Sequence, residues 1–418
     1  MTSTETETVL PHLTEAAGGA LREGGPEDHV DGMPCRWVIS PRDTAQVAAV
    51  MRVADAAGLG VVPLGSGSKL GWGAPPERLD VLLDLRALDT LVEHAAGDLI
   101  TVVGAGRRLD DLQRDLAGSG QWLAVEPSRP GTVGGLVATA STGPTRLLHG
   151  PVRDLVIGTT MVRADGVVAR SGGKVVKNVA GYDLGKLLTG SFGTLGVLTE
   201  VAFRLHPVAD AHGWVSVPVA SAQHAHALIQ GVIHSHLVPT ACELDRPADG
   251  PAGLAVRLDG IAPGVAARTA AALTLLGEGA TALEVAPPWW GAEPGEPGEV
   301  LLKVTHEISA LPALLDVVDT AADRSSVPID LRGSVAVGSV LARLRGTPDR
   351  AAVATVVEDL RAAAPRFGGT VVVLEADGET KRTLDVWGPV RGLELMRSVK
   401  RRLDPGRTLS PGRFVGGI

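Results

Sequence analysis

Apolar residues recur at helical spacing at Val47, Val50, Met51 and Ala54, and continuous apolar runs flank them at 36–39 and 61–64. This order predicts strand, helix, strand. Ser40 and Asp43 with Pro41 at the first helical position mark where the helix starts, and Gly58 marks its stop. Strands are predicted at 81–85 and 99–103, then a helix over 109–117. From Gly120 to about Pro207 the helical period fades. Short apolar runs at 155–157, 160–162, 167–169 and 197–203 stand between glycines there, which predicts a mainly β subdomain.

Past Pro207 regular alternation returns. Strands are expected at 214–217, 254–258, 300–304 and 371–374, and helices at 221–233, 265–276, 310–322 and 350–364. Two βαβ-like halves of this kind predict a sheet with helices on one face. Residues 287–299, rich in Pro, Gly and Glu, read as a surface loop. The last segment carries a cationic helix at 393–403. The pattern therefore divides the chain at 1–207, 208–385 and 386–418, as expected for 418 residues that exceed one compact core.

Composition narrows the function. Apolar residues make up 44% and charged residues 21%, as in ordered globular proteins. Glycine, at 53 residues, is well above the usual share of about 7%, which suggests close backbone approaches around a ligand. The net charge is −8 and there is no long basic block, which argues against nucleic-acid binding. Cys35 and Cys242 stand far apart, so a disulfide framework or a Cys-held iron–sulfur cluster is excluded within this chain, and both read as inert thiols. No apolar run approaches the roughly 18 residues that span a bilayer, and residues 1–8 are acidic and polar. The expectation is a cytoplasmic protein without a membrane span.

Three glycine-rich stretches could cradle phosphate. Gly65-Ser66-Gly67-Ser68-Lys69 follows a strand, and its short residues leave N–H groups free to converge on an anion. It is neither a dinucleotide fingerprint nor a Walker loop, and an ordinary turn would look much the same. Gly104-Ala105-Gly106 has Leu109 in place of a third glycine and reads as a plain turn. The third stretch is more informative: small residues and hydroxyls run from Pro127 through Thr132, Gly134 and Gly135 to Thr139, Ser141 and Gly143. A backbone of this kind can lie flat against a large planar ligand, and a loop of such length without one is unusual in a compact domain.

In this order, Pro63-Leu64-Gly65-Ser66-Gly67-Ser68, Thr132-Val133-Gly134-Gly135 and Gly190-Ser191-Phe192-Gly193-Thr194-Leu195-Gly196-Val197 resemble the vanillyl-alcohol-oxidase/PCMH flavoprotein superfamily. Further signatures resemble its FAD-binding glycolate oxidase (glycolate dehydrogenase) subunits. These are Thr142-Gly143-Pro144-Thr145-Arg146, Gly150-Pro151-Val152-Arg153-Asp154, the run from Gly172 to Asp183 with Lys177-Asn178, and Pro411-Gly412-Arg413-Phe414, where Ser410 replaces the usual Asn. The resemblance implies an α+β protein. A PCMH-type two-subdomain FAD-binding domain would occupy 1–207. An α/β cap or substrate domain, its sheet covered by helices, would occupy 208–385, and 386–418 would return to the FAD domain.

By the same resemblance Pro63, Leu64, Gly65, Ser66, Gly67, Ser68 and Lys69 would wrap the FAD pyrophosphate. Pro127, Thr132, Gly134, Gly135, Thr139, Ser141 and Gly143 would line the flavin and its phosphates, and Gly196 and Val197 would meet its adenine or isoalloxazine side. Covalent members use a His in the first loop, where this chain has Ser68, and a Cys before Thr132, where it has none. FAD should therefore be non-covalent.

The catalytic relatives carry a His-rich, metal-associated motif that is missing here, so no catalytic residue is assigned. Its absence implies a subunit working with a catalytic FAD-linked oxidase subunit and an iron–sulfur subunit on glycolate or a similar small 2-hydroxy acid. A self-sufficient oxidase of another hydroxy acid or alcohol, or an assembly subunit holding FAD, remain open. His306, Arg332 and Arg382 could face the flavin or be ordinary surface charge, and Lys177-Asn178 could be catalytic or brace a loop. Asp154 beside Arg153 reads as a structural ion pair, and His234 and His236 as surface residues. Trp289-Trp290 reads as a partner anchor or a cover for the cap core.

Overall fold

The structure, a computed structural model, describes residues 3–174 and 181–418. Three parallel strands, Trp37–Ile39, Val81–Asp84 and Val61–Leu64, form the heart of the first sheet, and Leu21–Glu23 adds antiparallel at one edge. Parallel strands are covered on both faces, which is why they read as unbroken apolar runs. The helix Thr44–Ala56 presses Val47, Val50, Met51 and Ala54 onto this sheet. It starts at Thr44 rather than at Pro41. The Asp43 carboxylate accepts from the Gln46 N–H at 2.8 Å and caps the first turn, leaving Pro41 outside.

The second sheet is antiparallel, in the order Val168–Gly172, Val156–Val162, Val197–Arg204, Ile100–Gly104, Leu91–Ala95. The apolar runs at 155–157 and 160–162 belong to one strand, which bulges near Gly158. This region is less purely β than its sequence suggests, because short helices interrupt it at Val133–Ala138, Arg146–His149, Val152–Leu155 and Leu184–Leu188. The first falls inside the supposed long loop: the Thr132 hydroxyl accepts from the Gly135 N–H and starts a helical turn.

The second half departs from the expected βαβ pairing. Its eight strands are antiparallel throughout, in the order Thr281–Leu283, Ala211–Val219, Ala252–Gly260, Ala241–Arg246, Ile329–Ser334, Ser339–Leu344, Val300–Thr305, Val371–Glu375. The helices Ala222–Ile233, Ala262–Leu276, Leu311–Ser325 and Arg350–Ala362 cover one face. Strand alternation decides what meets them. Cys242 and Leu244, Leu302 and Val304, Leu331, Val340 and Ala342, and Val371 and Val373 all point into the helix-covered core. Their neighbours Glu243, Lys303, Thr305, Arg332, Ser334, Ser339, Leu341 and Leu374 point the other way, toward the first half of the chain.

After the helix Leu393–Leu403, the chain runs back beside the first sheet. The Val61 N–H donates to the Thr408 carbonyl at 2.7 Å, and the Ser410 N–H donates to the Val61 carbonyl at 2.8 Å. Lys400 is buried and fastens this return. Its Nζ pairs with Asp404 at 2.6 Å and donates to the carbonyls of Thr194 and Leu409, both at 2.8 Å.

Candidate functional site

The strand Val61–Leu64 delivers the chain into the turn 65–69, and glycine lets that turn lie against its neighbours. A Cβ on Gly65 would sit 2.0 Å from Thr132 Oγ1, and one on Gly131 would sit 2.6 Å from Ser68 Oγ. Gly134 also approaches Ala105, where a Cβ would stand 2.9 Å from the alanine's own. The two glycine stretches thus meet edge to edge around a cavity of about 840 Å³ of empty space.

Pro63, Leu64, Gly65, Ser66, Gly67, Ser68, Lys69, Thr132, Gly134, Gly135, Thr139 and Gly196 all line this cavity. The N–H groups of Ser66, Gly67 and Ser68 make no hydrogen bond to another described residue. Such converging N–H groups offset an anionic charge without any counter-cation. Two buried cations nevertheless stand at the rim. Burial, and then the charge of Arg129, lower Lys69 to about 8; its Nζ donates to the Arg129 carbonyl at 2.6 Å. Arg413 donates through Nη2 to the carbonyls of Leu70 and Trp72, both at 2.6 Å, while its buried Nη1 has no partner among the described residues. A diphosphate fits this set, because free N–H groups and an unsatisfied guanidinium nitrogen border one space.

A second chamber, with about 1370 Å³ of empty space, opens from the first, since Thr139 and Phe192 line both. Ser141, Gly143, Arg146 and Phe192 supply one side, and the polar face of the third sheet supplies the other. Gly143 is pressed against the Glu126 carbonyl, which a Cβ would approach to 1.8 Å. Phe192 (φ 55°) and Ala140 (φ 48°) hold left-handed backbone where the two spaces meet. Strain of this kind concentrates where a site must keep one shape.

Two of the expected contact residues stand apart. Pro127 lines neither space, and Val197 is fully buried in the core of the first sheet. Strand alternation explains the second: Gly196 borders the cavity, so the next side chain turns inward. Arg332 lines the chamber but is paired with Asp245 at 2.7 Å. His306 is buried outside both spaces, with Nδ1 2.8 Å from the Glu307 carbonyl. Arg382 pairs with Glu379 at 2.7 Å, and Arg153 donates to the Lys186 carbonyl rather than pairing with Asp154. His234 contacts its helix neighbour Gln230 at 3.2 Å, and half-buried Trp289 lies 6.0 Å from the Arg332 guanidinium. Lys177 and Asn178 lie outside the described residues.

Sequence reasoning missed Arg413, Phe192, Arg146, Lys303 and Glu243 as lining residues. The first three sat inside quoted motifs without a role. The last two needed the strand alternation of the third sheet.

Residues 35–172 match the family described as "FAD binding domain". Among curated relatives, the chain is 32% identical over 213 residues to glycolate oxidase subunit GlcD of Bacillus subtilis, covering 50% of this chain and 45% of that one. It is 40% identical over 146 residues to glycolate oxidase subunit GlcE of Escherichia coli, covering 34% and 41%. A D-lactate dehydrogenase of Archaeoglobus fulgidus is 32% identical over 210 residues, covering 49% and 46%. The chain thus spans less than half the length of these relatives. Among solved structures, 4-ethylphenol oxidase from Gulosibacter chungangensis superposes with a TM-score of 0.76, covering 99% of this chain and 97% of the other at 15% identity. p-Cresol methylhydroxylase gives 0.75, with the same coverage at 14% identity. The fold is therefore α+β and PCMH-type over the whole chain, and its cofactor is FAD.

Proposed function

From an FAD-binding domain set in a PCMH-type fold, we propose that the chain is the flavin-holding subunit of a dehydrogenase that oxidises glycolate or a similar small 2-hydroxy acid. The observation that carries this reading is the junction of the two spaces. A glycine-walled cavity suited to a diphosphate opens at Thr139 and Phe192 into a polar chamber under the third sheet. The likeness to glycolate oxidase subunits and to D-lactate dehydrogenases supports the substrate class.

FAD, when bound, supplies a two-electron acceptor. The protein's own part is positioning. The N–H groups of Ser66, Gly67 and Ser68, with Lys69 and Arg413, would take the diphosphate; Gly134, Gly135 and Thr139 would let the ring system lie close to the backbone. Phe192 and the sheet above would border the reacting end of the ring system. Attachment is read as non-covalent: no His, Cys or Tyr lines either space, and none stands in 175–180.

Two cysteines cannot hold an iron–sulfur cluster, so electrons would leave through partner subunits: a catalytic FAD-linked oxidase and an iron–sulfur protein. No helix among the described residues is long and apolar enough to cross a membrane, in keeping with a proposed cytoplasmic location. The decisive experiment is the visible spectrum of the isolated chain before and after anaerobic addition of glycolate or D-lactate, repeated with the partner subunits present. Flavin bands that bleach only with partners support the subunit reading. Bleaching in the isolated chain favours a self-sufficient dehydrogenase, and bands that never bleach overturn both.

A further inference from the structure

The chamber holds two cations that form no ion pair with any described residue, although Glu243 lies near enough to act on one of them, Arg146. Arg257 is paired with Glu126 and Asp259, and Arg332 with Asp245. By contrast, Arg146 and Lys303 line the chamber without an ion pair or a side-chain hydrogen bond to any described residue. An unpaired cation withdrawn from bulk water is costly, and proteins keep such groups where a ligand completes them. We propose that Arg146 and Lys303 together hold the carboxylate of the acid to be oxidised. This inference rests on the function proposed above and deepens it.

The two residues arrive from opposite walls. Arg146 opens the short helix Arg146–His149 beneath the chamber, and Lys303 projects from the polar face of the strand Val300–Thr305 above it. Each is lowered by burial; Glu243 offsets part of this at Arg146, and the charge of Arg146 lowers Lys303 further. They therefore repel across a space that one anion would relieve. An Arg fork and a Lys point charge from opposite sides fix a planar carboxylate without enclosing it, leaving its other end free toward Phe192 and the cofactor cavity.

Glu243, the acid that would oppose such a ligand, is neutralised by its surroundings. It is buried, its Oε1 accepts from the Ser334 hydroxyl, and burial raises it to about 8. Neutral Glu243 adds no repulsion and can donate a hydrogen bond. Glu126, the other carboxylate on the wall, is already engaged by Arg257. The remaining wall, with Trp72, Trp387 and Phe414, is aromatic and adds no further charge.

The test is isothermal titration of the FAD-loaded chain with oxalate and with glycolate, using ethane-1,2-diol as a neutral probe of the same length. Arg146→Met and Lys303→Met should each weaken both acids by about 10-fold or more, the loss expected for one charge-assisted contact. The diol should not bind, and the flavin spectrum should be unchanged. Arg146→Lys, which keeps the charge and loses the fork, serves as the milder variant should Arg146→Met misfold. Equal affinity in wild type and both methionine variants overturns the inference, as does a wild type that binds neither acid or binds the diol equally well. If the acids bind through Arg146 and Lys303 but no 2-hydroxy acid ever bleaches the flavin with partners present, the function fails and the site stands. If glycolate bleaches the flavin while both variants bind normally, the site fails and the function stands.

Discussion

Arg129 and Glu293 are joined by two hydrogen bonds, Nε to Oε1 at 2.9 Å and Nη2 to Oε2 at 2.7 Å. Arg129 belongs to the third glycine-rich stretch and Glu293 to the loop expected to lie on the surface, so this pair couples the two halves of the chain. Glu375 and Arg343 complete a quartet: Arg129 Nη2 reaches Glu375 at 2.5 Å, and Arg343 reaches Glu293 at 2.8 Å and Glu375 at 3.2 Å. Two guanidinium forks face two carboxylates, and the Arg343 side chain is only 1% exposed. Removing one member strands the others.

Arg129→Met should therefore leave two carboxylates sharing one arginine, at a cost of about 3 kcal/mol. Arg129→Lys keeps the charge without the fork and should recover only part of it. Urea denaturation followed by far-ultraviolet dichroism measures both, and an unchanged midpoint in Arg129→Met would show that the quartet adds nothing.

At Gly135 an added Cβ would meet Thr132 Oγ1 at 3.3 Å, which a small shift relieves, but a branched side chain must extend into the cavity. Gly135→Val should fold normally and purify without flavin. Full flavin absorbance in that variant would remove this turn from the proposed FAD site.

For Lys69 the expected readout is affinity and its pH dependence. In the empty protein burial and Arg129 hold it near 8, and a neighbouring diphosphate would restore its charge. Flavin binding should then take up a proton above about pH 8, so affinity should fall as pH rises through that value. Lys69→Met should bind FAD about 10- to 100-fold more weakly and lose this slope. Fluorescence titration of apoprotein from pH 7 to 9 decides it; a slope surviving in the variant assigns the proton elsewhere.

His206 makes stability acid-sensitive. Burial, then the charges of His149 and Arg204, push it down to about 4 from the usual histidine value near 6.5, and the His149 ring centroid lies 4.5 Å away. The unfolded chain thus binds a proton that the folded chain refuses between these values. The stabilisation is complete above about pH 6.5 and is lost as pH falls toward 4. His206→Asn should shrink the difference in unfolding midpoint between pH 7.5 and pH 5, and an undiminished difference would assign the effect to another group.

The glycine-rich loops were legible in the sequence because a backbone that must touch a ligand needs small residues, although Gly65–Lys69 alone looks much like an ordinary turn and only the resemblance pointed it to FAD. The chamber was not. Its wall comes from Ala241–Arg246, Ile329–Ser334 and Ser339–Leu344, strands in which Glu243, Arg332 and Ser339 interrupt the apolar run. Those interruptions hid the strands and also supply the wall, since the alternate residues that spoil a hydrophobic pattern are the ones pointing into the chamber. The antiparallel pairing of the third sheet was hidden with them, because with half its strands unseen each helix looked like a parallel crossover. Arg413 was out of reach for another reason: only the folded return of the tail brings it to a loop near residue 70.

That return has a consequence for biosynthesis. A ribosome releases the chain in order, so Gly65 to Lys69 emerge well before Arg413. Until the tail lies down beside Val61, the carbonyls of Leu70 and Trp72 lack their buried donor and the cavity lacks Arg413. A nascent chain stalled in the third sheet should therefore hold flavin more weakly than one whose tail has docked, however well its first half had folded.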